Sequence, residues 1–293
     1  MTISTQSKTI VITGQNGYLG SMLTSELRNA GYAVRGIPRS KLYDTNQLVD
    51  EIRSCFALIN LAGAPVLQRW NSKNRKIIYE SRIVSTRNLV QAINSLPIED
   101  RPEKFISASA IGIYKTNAFH DEESSNFDEG FLGTVVKDWE KTLDDLPSQI
   151  QKVIFRIGLV LGKNAKTIHQ LLLPFKLGLG ASIGNGRQAF PFVHEADLMR
   201  AFVWAVTEYD KNNTFNLVAP DRITNKTFTH QLARQLNRPA FLTIPGWAIN
   251  LVLGEASVLL TEAPEVSSEK IQAAGFRFNY PDITSALQEI IGH

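Results

Sequence analysis

Gly14, Gly17 and Gly20 follow directly on the β-branched run Thr9 to Ile12. A strand that stops in a glycine turn and restarts as a helix brings several backbone N–H groups and a positive helix end to one point, where phosphate binds. At this spacing Gly14 permits the tight turn, Gly17 lets a diphosphate approach the backbone, and Gly20 lets helix pack on strand. Gln15, Asn16, Tyr18 and Leu19 then face the same ligand. A tight turn with no ligand is the plainer alternative.

The strand expected over Tyr32 to Ile37 runs into Pro38, Arg39, Ser40 and Lys41. Where an adenosine ribose meets such a strand end, an acid binds a free 2′-hydroxyl and a basic residue accommodates a 2′-phosphate. Residues 34–41 contain no acid, so Arg39 with Lys41 favours NADP(H) over NAD(H). Two solvated loop charges are the alternative. Leu61, Ala62 and Gly63 close a further apolar strand with small residues, which leaves a cofactor room at the sheet edge. Ser107 and Ser109 end another strand, and Tyr114 follows as the phenol nearest that edge.

These residues need a scaffold of alternating strands and helices. Helices are expected over Tyr18 to Ala30, Thr45 to Cys55 with Thr45 as N-cap, Trp70 to Ser95 as one piece, and Phe131 to Leu146. Strands are expected at Phe56 to Leu61, from Phe105 onward, and at Val153 to Ile157. That alternation predicts an α/β fold, a Rossmann-type doubly wound parallel sheet. Beyond residue 160 the rhythm changes. A leucine- and glycine-rich stretch over 171–186, a helix over 195–208 and a strand over 214–218 precede a mostly helical end (225–237, 246–260, 266–274, 282–291). The expected division is a dinucleotide-binding domain over 1–165, to which 188–220 returns, and a smaller substrate lobe of 166–187 and 221–293.

The bulk numbers narrow the class. A chain of 293 residues with 43% hydrophobic and 20% charged residues is an ordinary globular composition. The net charge of +3 is spread along the chain without a basic stripe, which argues against nucleic acid. The single cysteine, Cys55, excludes an internal disulfide and reads as a packed hydrophobe. Met1 to Ser7 show no leader pattern and no apolar run reaches membrane-spanning length, so a cytoplasmic location is expected. The five histidines lack ligand spacing, so no metal is expected. Asp121 to Glu123 reads as a solvated loop. His194 near Asp197 reads either as a relay or as a structural cap.

With these residues in view, the chain resembles the extended short-chain dehydrogenase/reductases, relatives of the nucleotide-sugar epimerases. The glycines, Asn60-Leu61-Ala62-Gly63, the Ser-rich strand over 105–109 and the segment Phe192 to Asp197 carry the likeness. More narrowly it is similar to the atypical epimerase-family or SulA-like branch, with its C-terminal DUF1731 region. Ile59 to Pro65 with Arg69-Trp70, Phe175 to Gly180, Gly184 to Gln188, and Pro245 to Glu255 are the marks. The resemblance implies that Arg156 adjoins the cofactor and that Arg82, Lys176, Arg187 and His194 line the substrate cleft.

The larger group carries a Tyr and a Lys four residues apart, the pair that moves a proton while hydride moves on nicotinamide. None of the seven tyrosines here has a Lys at that spacing. The resemblance puts Leu132 and Val136 in those slots, Ala110 in the hydroxyl slot with Ser109 one residue earlier, and Arg82 in the slot of a helix Asn. Two readings follow. One is an NADP(H)-dependent oxidoreductase or epimerase-like enzyme on an unknown small molecule, with Tyr114 and Ser109 carrying the proton; the other is a non-catalytic NADP(H)-binding regulatory protein. The sequence leaves the oligomeric state open.

Overall fold

The computed structural model describes residues 8–292, with the side chains at 166, 167 and 169–171 outside the description. The stretch 1–7, read above for a leader, also lies outside it, as does Leu171, which opens the leucine-rich stretch. The first half alternates as expected: β1 (Thr9–Thr13), α1 (Tyr18–Asn29), β2 (Ala33–Ile37), α2 (Thr45–Ile52), β3 (Ala57–Asn60), α3 (Ser72–Glu80), α4 (Ile83–Ser95), β4 (Lys104–Ala110) and α5 (Phe131–Lys141). The strand Gln151–Ile157, α6 (Lys166–Lys176), α7 (Glu195–Thr207), the strand Asn213–Leu217 and α8 (Asn225–Gln235) follow.

Six of these strands form one sheet, with β2 at one edge, then β1, β3, β4, Gln151–Ile157 and Asn213–Leu217. Every pairing is parallel. A parallel sheet is covered on both faces, and the strands show it by burying consecutive residues on opposite sides. Ile10, Ile12, Ile59, Ile106 and Phe155 pack with Leu23 and Leu27 of α1 and Phe202 of α7. Val11, Leu58, Phe105 and Ile154 pack on the other face with Leu48 and Ile52 of α2 and Leu89 and Ile93 of α4. β1 lies between β2 and β3, so the chain leaves it in opposite directions. The crevice at the carboxyl ends of β1 and β3 is thereby a topological switch point, the usual ligand position in open α/β sheets.

Several local expectations change. Trp70 to Ser95 is two helices, broken at Ser81 and Arg82. Ser81 Oγ accepts from the Ala64 N–H at 2.9 Å and donates to Ile78 O at 3.0 Å, so a side chain replaces the helix ladder there. α2 is capped by Asp44 and not by Thr45, since the carboxylate accepts from the N–H groups of Asn46 and Gln47. The expected helix 246–260 ends at Leu253, because Gly254 takes φ +61°. Glu265–Val266 is a short strand beside Phe119–His120, and only Glu269–Ala273 of the expected 266–274 is helical.

A third apolar cluster gathers Phe175 of α6, Phe192, Phe228 and Leu232 of α8, and Ile283 and Leu287 of the last helix, Ile283–Ile291. It stands at the carboxyl edge of the sheet, where Tyr18 also packs against it. The helix Gly246–Leu253 is apolar and buries none of its side chains. Among the described residues no helix is long and apolar enough to cross a membrane.

Candidate functional site

The glycine turn has the form its spacing predicts. Gly14 sits at φ +74°, and a Cβ there would stand 3.0 Å from Leu61 O. A Cβ on Gly20 would overlap the Gly14 carbonyl, backbone against backbone. Gly17 is the N-cap of α1, its N–H donating to Gly14 O at 2.9 Å. No side chain caps α1, so first-turn N–H groups are left for an outside acceptor. Asn16 and Gly17 are exposed, and Gln15, Tyr18 and Leu19 are half-buried around them.

A buried chain of side-chain hydrogen bonds holds this turn against the next strand ends. Thr13 Oγ1 donates to Asn60 Oδ1 at 2.7 Å and accepts from the N–H groups of Leu61 and Ala62, each at 3.1 Å. Asn60 Nδ2 and Trp139 Nε1 then both donate to Thr86 Oγ1 at 2.9 Å. β1, β3, α4 and α5 are locked together, and Leu61, Ala62 and the exposed Gly63 are presented beside the turn. Sequence reasoning missed this latch. Its signal was Asn60, a lone amide ending a strand of wholly buried residues, which needs partners.

At the end of β2, Arg39 opens a short 3₁₀ turn, Arg39–Tyr43, and is exposed. Lys41, expected to share its role, is instead paired with Glu51. The Tyr18 hydroxyl donates to Glu195 at the start of α7, and burial raises the Glu195 carboxyl above the ordinary glutamate range. The glycine turn is thus tied to the helix behind it.

The other half of the edge corrects several expectations. Tyr114, expected as an accessible phenol, is 1% exposed. Its hydroxyl donates to Asn216 Oδ1 at 2.9 Å and accepts from Arg156 Nη1 at 2.7 Å. Burial pushes its pKa up, and the neighbouring guanidinium only partly opposes that. Ser109 is buried too and donates to Glu140 Oε1 at 2.5 Å. Arg156, expected at the cofactor, forms a bidentate pair with Glu140, Nε to Oε1 at 2.9 Å and Nη2 to Oε2 at 2.7 Å. Burial opposes its charge, but the Glu140 carboxylate prevails and the guanidinium is held above its ordinary pKa. Ser107 has no exposed surface, and its hydroxyl turns back to Ala108 O at 2.9 Å.

These groups satisfy one another because each is buried at a strand end, where an unpaired charge or hydroxyl costs more than in water. Glu140 is the member that sequence reading left without a role. Val136 and Leu132, expected in the slots of the proton-moving pair, lie on α5, with Val136 in the same apolar cluster as Tyr114.

The expected cleft residues do not converge. His194 is 1% exposed; Nδ1 accepts from the Ala196 N–H at 3.2 Å as the cap of α7, and Nε2 meets Glu289 Oε2 at 2.9 Å. Asp197 faces elsewhere, accepting from the N–H groups of Asn279 and Tyr280 at 2.8 Å. His194 is a structural cap, and it makes no hydrogen bond to Asp197. Lys176 is exposed at the end of α6. Arg187 lines a cavity of about 360 Å3 with Phe190, Pro191, Val218, Asp221 and Arg222. Arg82 is half-buried at the break between α3 and α4, its guanidinium beside Gly63.

The epimerase-family profile described as the NAD dependent epimerase/dehydratase family matches residues 10–132, from β1 into α5. A second profile, the domain of unknown function DUF1731, matches residues 244–290. The epimerase family protein SDR39U1 of Bos taurus is 33% identical, over 96% of this chain and 99% of its own length. The chain belongs to this epimerase family. Its chloroplastic homologue in Arabidopsis thaliana is 30% identical, over 97% of this chain and 86% of that protein. The crystal structure of human SDR39U1 (isoform 2) with NADPH superposes with a TM-score of 0.89 at 30% identity, covering 97% of this chain and 99% of that one. The family is a Rossmann-type short-chain dehydrogenase/reductase fold, and the parallel sheet described above is its centre.

Proposed function

We propose that this protein binds NADP(H) in the crevice between β1 and β3 and acts as an oxidoreductase on an activated small molecule. The observation that carries the reading is the uncapped glycine turn: Gly14 in the left-handed region, Gly20 with no room for a Cβ, and free N–H groups opening α1. The NADPH named with the human relative's structure agrees with it. Gly14 to Leu19 would hold the diphosphate, Leu61 to Gly63 would border the riboses, and Arg39 would meet the 2′-phosphate. Bound NADPH supplies hydride.

The residues of this chain orient the reactants; they do not deliver the proton. Tyr114 is held between Arg156 and Asn216, Ser109 is bound to Glu140, and Ala110, Leu132 and Val136 carry no titratable group. The proton then comes from water, which suits a substrate whose reduced carbon needs no acid catalyst, such as an activated carbonyl or enone. The same closed network favours a second reading, a non-catalytic NADP(H)-binding protein whose occupied state is recognised by a partner. Fluorescence titration should show NADPH bound more tightly than NADH, and tighter NADH binding would overturn the assignment of Arg39. Oxidation of NADPH by a panel of carbonyls and enones supports the enzyme; tight binding with no turnover across the panel supports the second reading.

A further inference from the structure

Two arginines, Arg156 buried and Arg82 half-buried, stand at the carboxyl edge of the sheet, and they are treated differently. Arg156 has the Glu140 carboxylate against it. Arg82 has no carboxylate within ion-pair reach among the described residues. Its Nη1 donates to two carbonyl oxygens, Ala64 O at 3.0 Å and Ile78 O at 3.3 Å, and its guanidinium carbon stands 5.4 Å from the centre of the Trp139 ring. Nε and Nη2, one whole edge of the planar fork, have no partner among the described residues. With no acid to offset it, burial pushes the guanidinium down to about 10.

A Cβ on the exposed Gly63 would stand over the flat face of the guanidinium, 3.0 Å from its carbon and from Nη2 and 3.4 Å from Nε. Glycine at 63 therefore lets the guanidinium lie flat against the third strand end, with its Nε–Nη2 edge outside that contact. A half-buried cation without a counter-charge is only partly solvated, and the free Nε–Nη2 edge has the geometry that takes a carboxylate or phosphate through two parallel hydrogen bonds.

We infer that Arg82 is the anion receptor for the substrate, so that the small molecule reduced here carries a carboxylate or phosphate, held on the free Nε–Nη2 edge of Arg82. This rests on the NADP(H) reading. The alternative source of the anion is the cofactor's own diphosphate, and the test separates the two.

NADPH is first titrated into wild type, Arg82→Lys and Arg82→Gln. Each NADPH-saturated protein is then titrated calorimetrically with oxalate, benzoate and inorganic phosphate, with oxamide as the neutral control. Wild type should bind at least one anion and ignore oxamide. Arg82→Gln should lose anion affinity ~10- to 100-fold, Arg82→Lys should lose less, and NADPH affinity should stay within about twofold in both. Phenylglyoxal labelling of wild type, read by peptide mass spectrometry, should mark Arg82 in the NADPH-loaded protein and be blocked by the bound anion, a readout that does not depend on folding of a variant. Protection by NADPH alone, or weaker NADPH binding in Arg82→Gln, would assign the residue to the cofactor and overturn the inference. So would failure of all three anions to bind or protect. Failure of wild type to bind NADPH at all would instead refute the cofactor reading.

Discussion

The two halves of the sheet's carboxyl edge lie side by side and use their polar groups in opposite ways. Around Gly14 to Gly20 the backbone itself presents unsatisfied N–H groups, and the side chains nearby (Thr13, Asn60, Thr86, Trp139) spend their hydrogen bonds fixing that backbone in place. Around β4 and the strand Gln151–Ile157 the side chains that look reactive, Ser109, Tyr114 and Arg156, satisfy each other through Glu140 and Asn216. The first half is organised for a ligand to complete; the second is already complete. Residue type alone is thus a poor guide to reactivity, and what decides it is whether a group's hydrogen bonds are closed within the protein.

The comparison is broken most severely at Glu140. Glu140→Ala leaves Arg156 buried without its counter-charge and should cost about 3–5 kcal/mol in urea unfolding, while NADPH affinity measured on the folded fraction stays near wild type. Loss of NADPH binding at constant stability would instead make the second half part of the cofactor site. In the first half, Gly20→Val must displace the Gly14 backbone, worth about 1–3 kcal/mol, and should weaken NADPH by up to ~100-fold. Unchanged affinity in a fluorescence titration would show that the turn does not grip the diphosphate.

Tyr114→Phe removes one hydroxyl from a closed network and leaves Asn216 Oδ1 and Arg156 Nη1 each short of a partner. The expected cost is about 2 kcal/mol of stability, with turnover unchanged on any substrate found; a loss of turnover at full stability would restore Tyr114 as a proton donor. Arg39→Ala should weaken NADPH ~10-fold and leave NADH unaffected, a difference of about 1.4 kcal/mol.

The smallest effect is on pH dependence. Burial holds the Glu122 carboxyl above the ordinary glutamate range, so the folded state keeps this proton more tightly than the unfolded chain does. The stability it contributes is present in full below the ordinary glutamate value and is lost as pH rises to the raised one. Glu122→Gln, which still accepts the Asn216 N–H, should match wild type in acid and be more stable near neutrality; an equal deficit at every pH would mean that burial does not perturb this carboxyl.

How much of this was legible in the sequence follows the range of the interactions. The glycine turn is local: three glycines after a β-branched run set the turn, the helix start and the free N–H groups within about a dozen residues. The parallel sheet was legible for the same reason, since buried strands and amphipathic helices announce themselves by composition and period. The break at Ser81 and Arg82 was not, because the Arg82 N–H turns to Tyr79 O and the Ser81 hydroxyl accepts from the N–H of Ala64, seventeen residues earlier. The cap formed by His194 was legible as one of its two readings, but its other partner, Glu289, was not, since it lies ninety-five residues away.

The sequence by itself determined the class of fold, the glycine turn and the missing Tyr–Lys spacing, because each depends on residues close together in the chain. Only the tertiary structure decided which polar side chains are free. Whether Tyr114, Arg156 or Arg82 has an open hydrogen-bonding edge depends on Asn216, Glu140 and the carbonyls of Ala64 and Ile78, brought alongside by strand pairing and helix packing. A charge in a low-dielectric interior is reactive or inert according to that one neighbour.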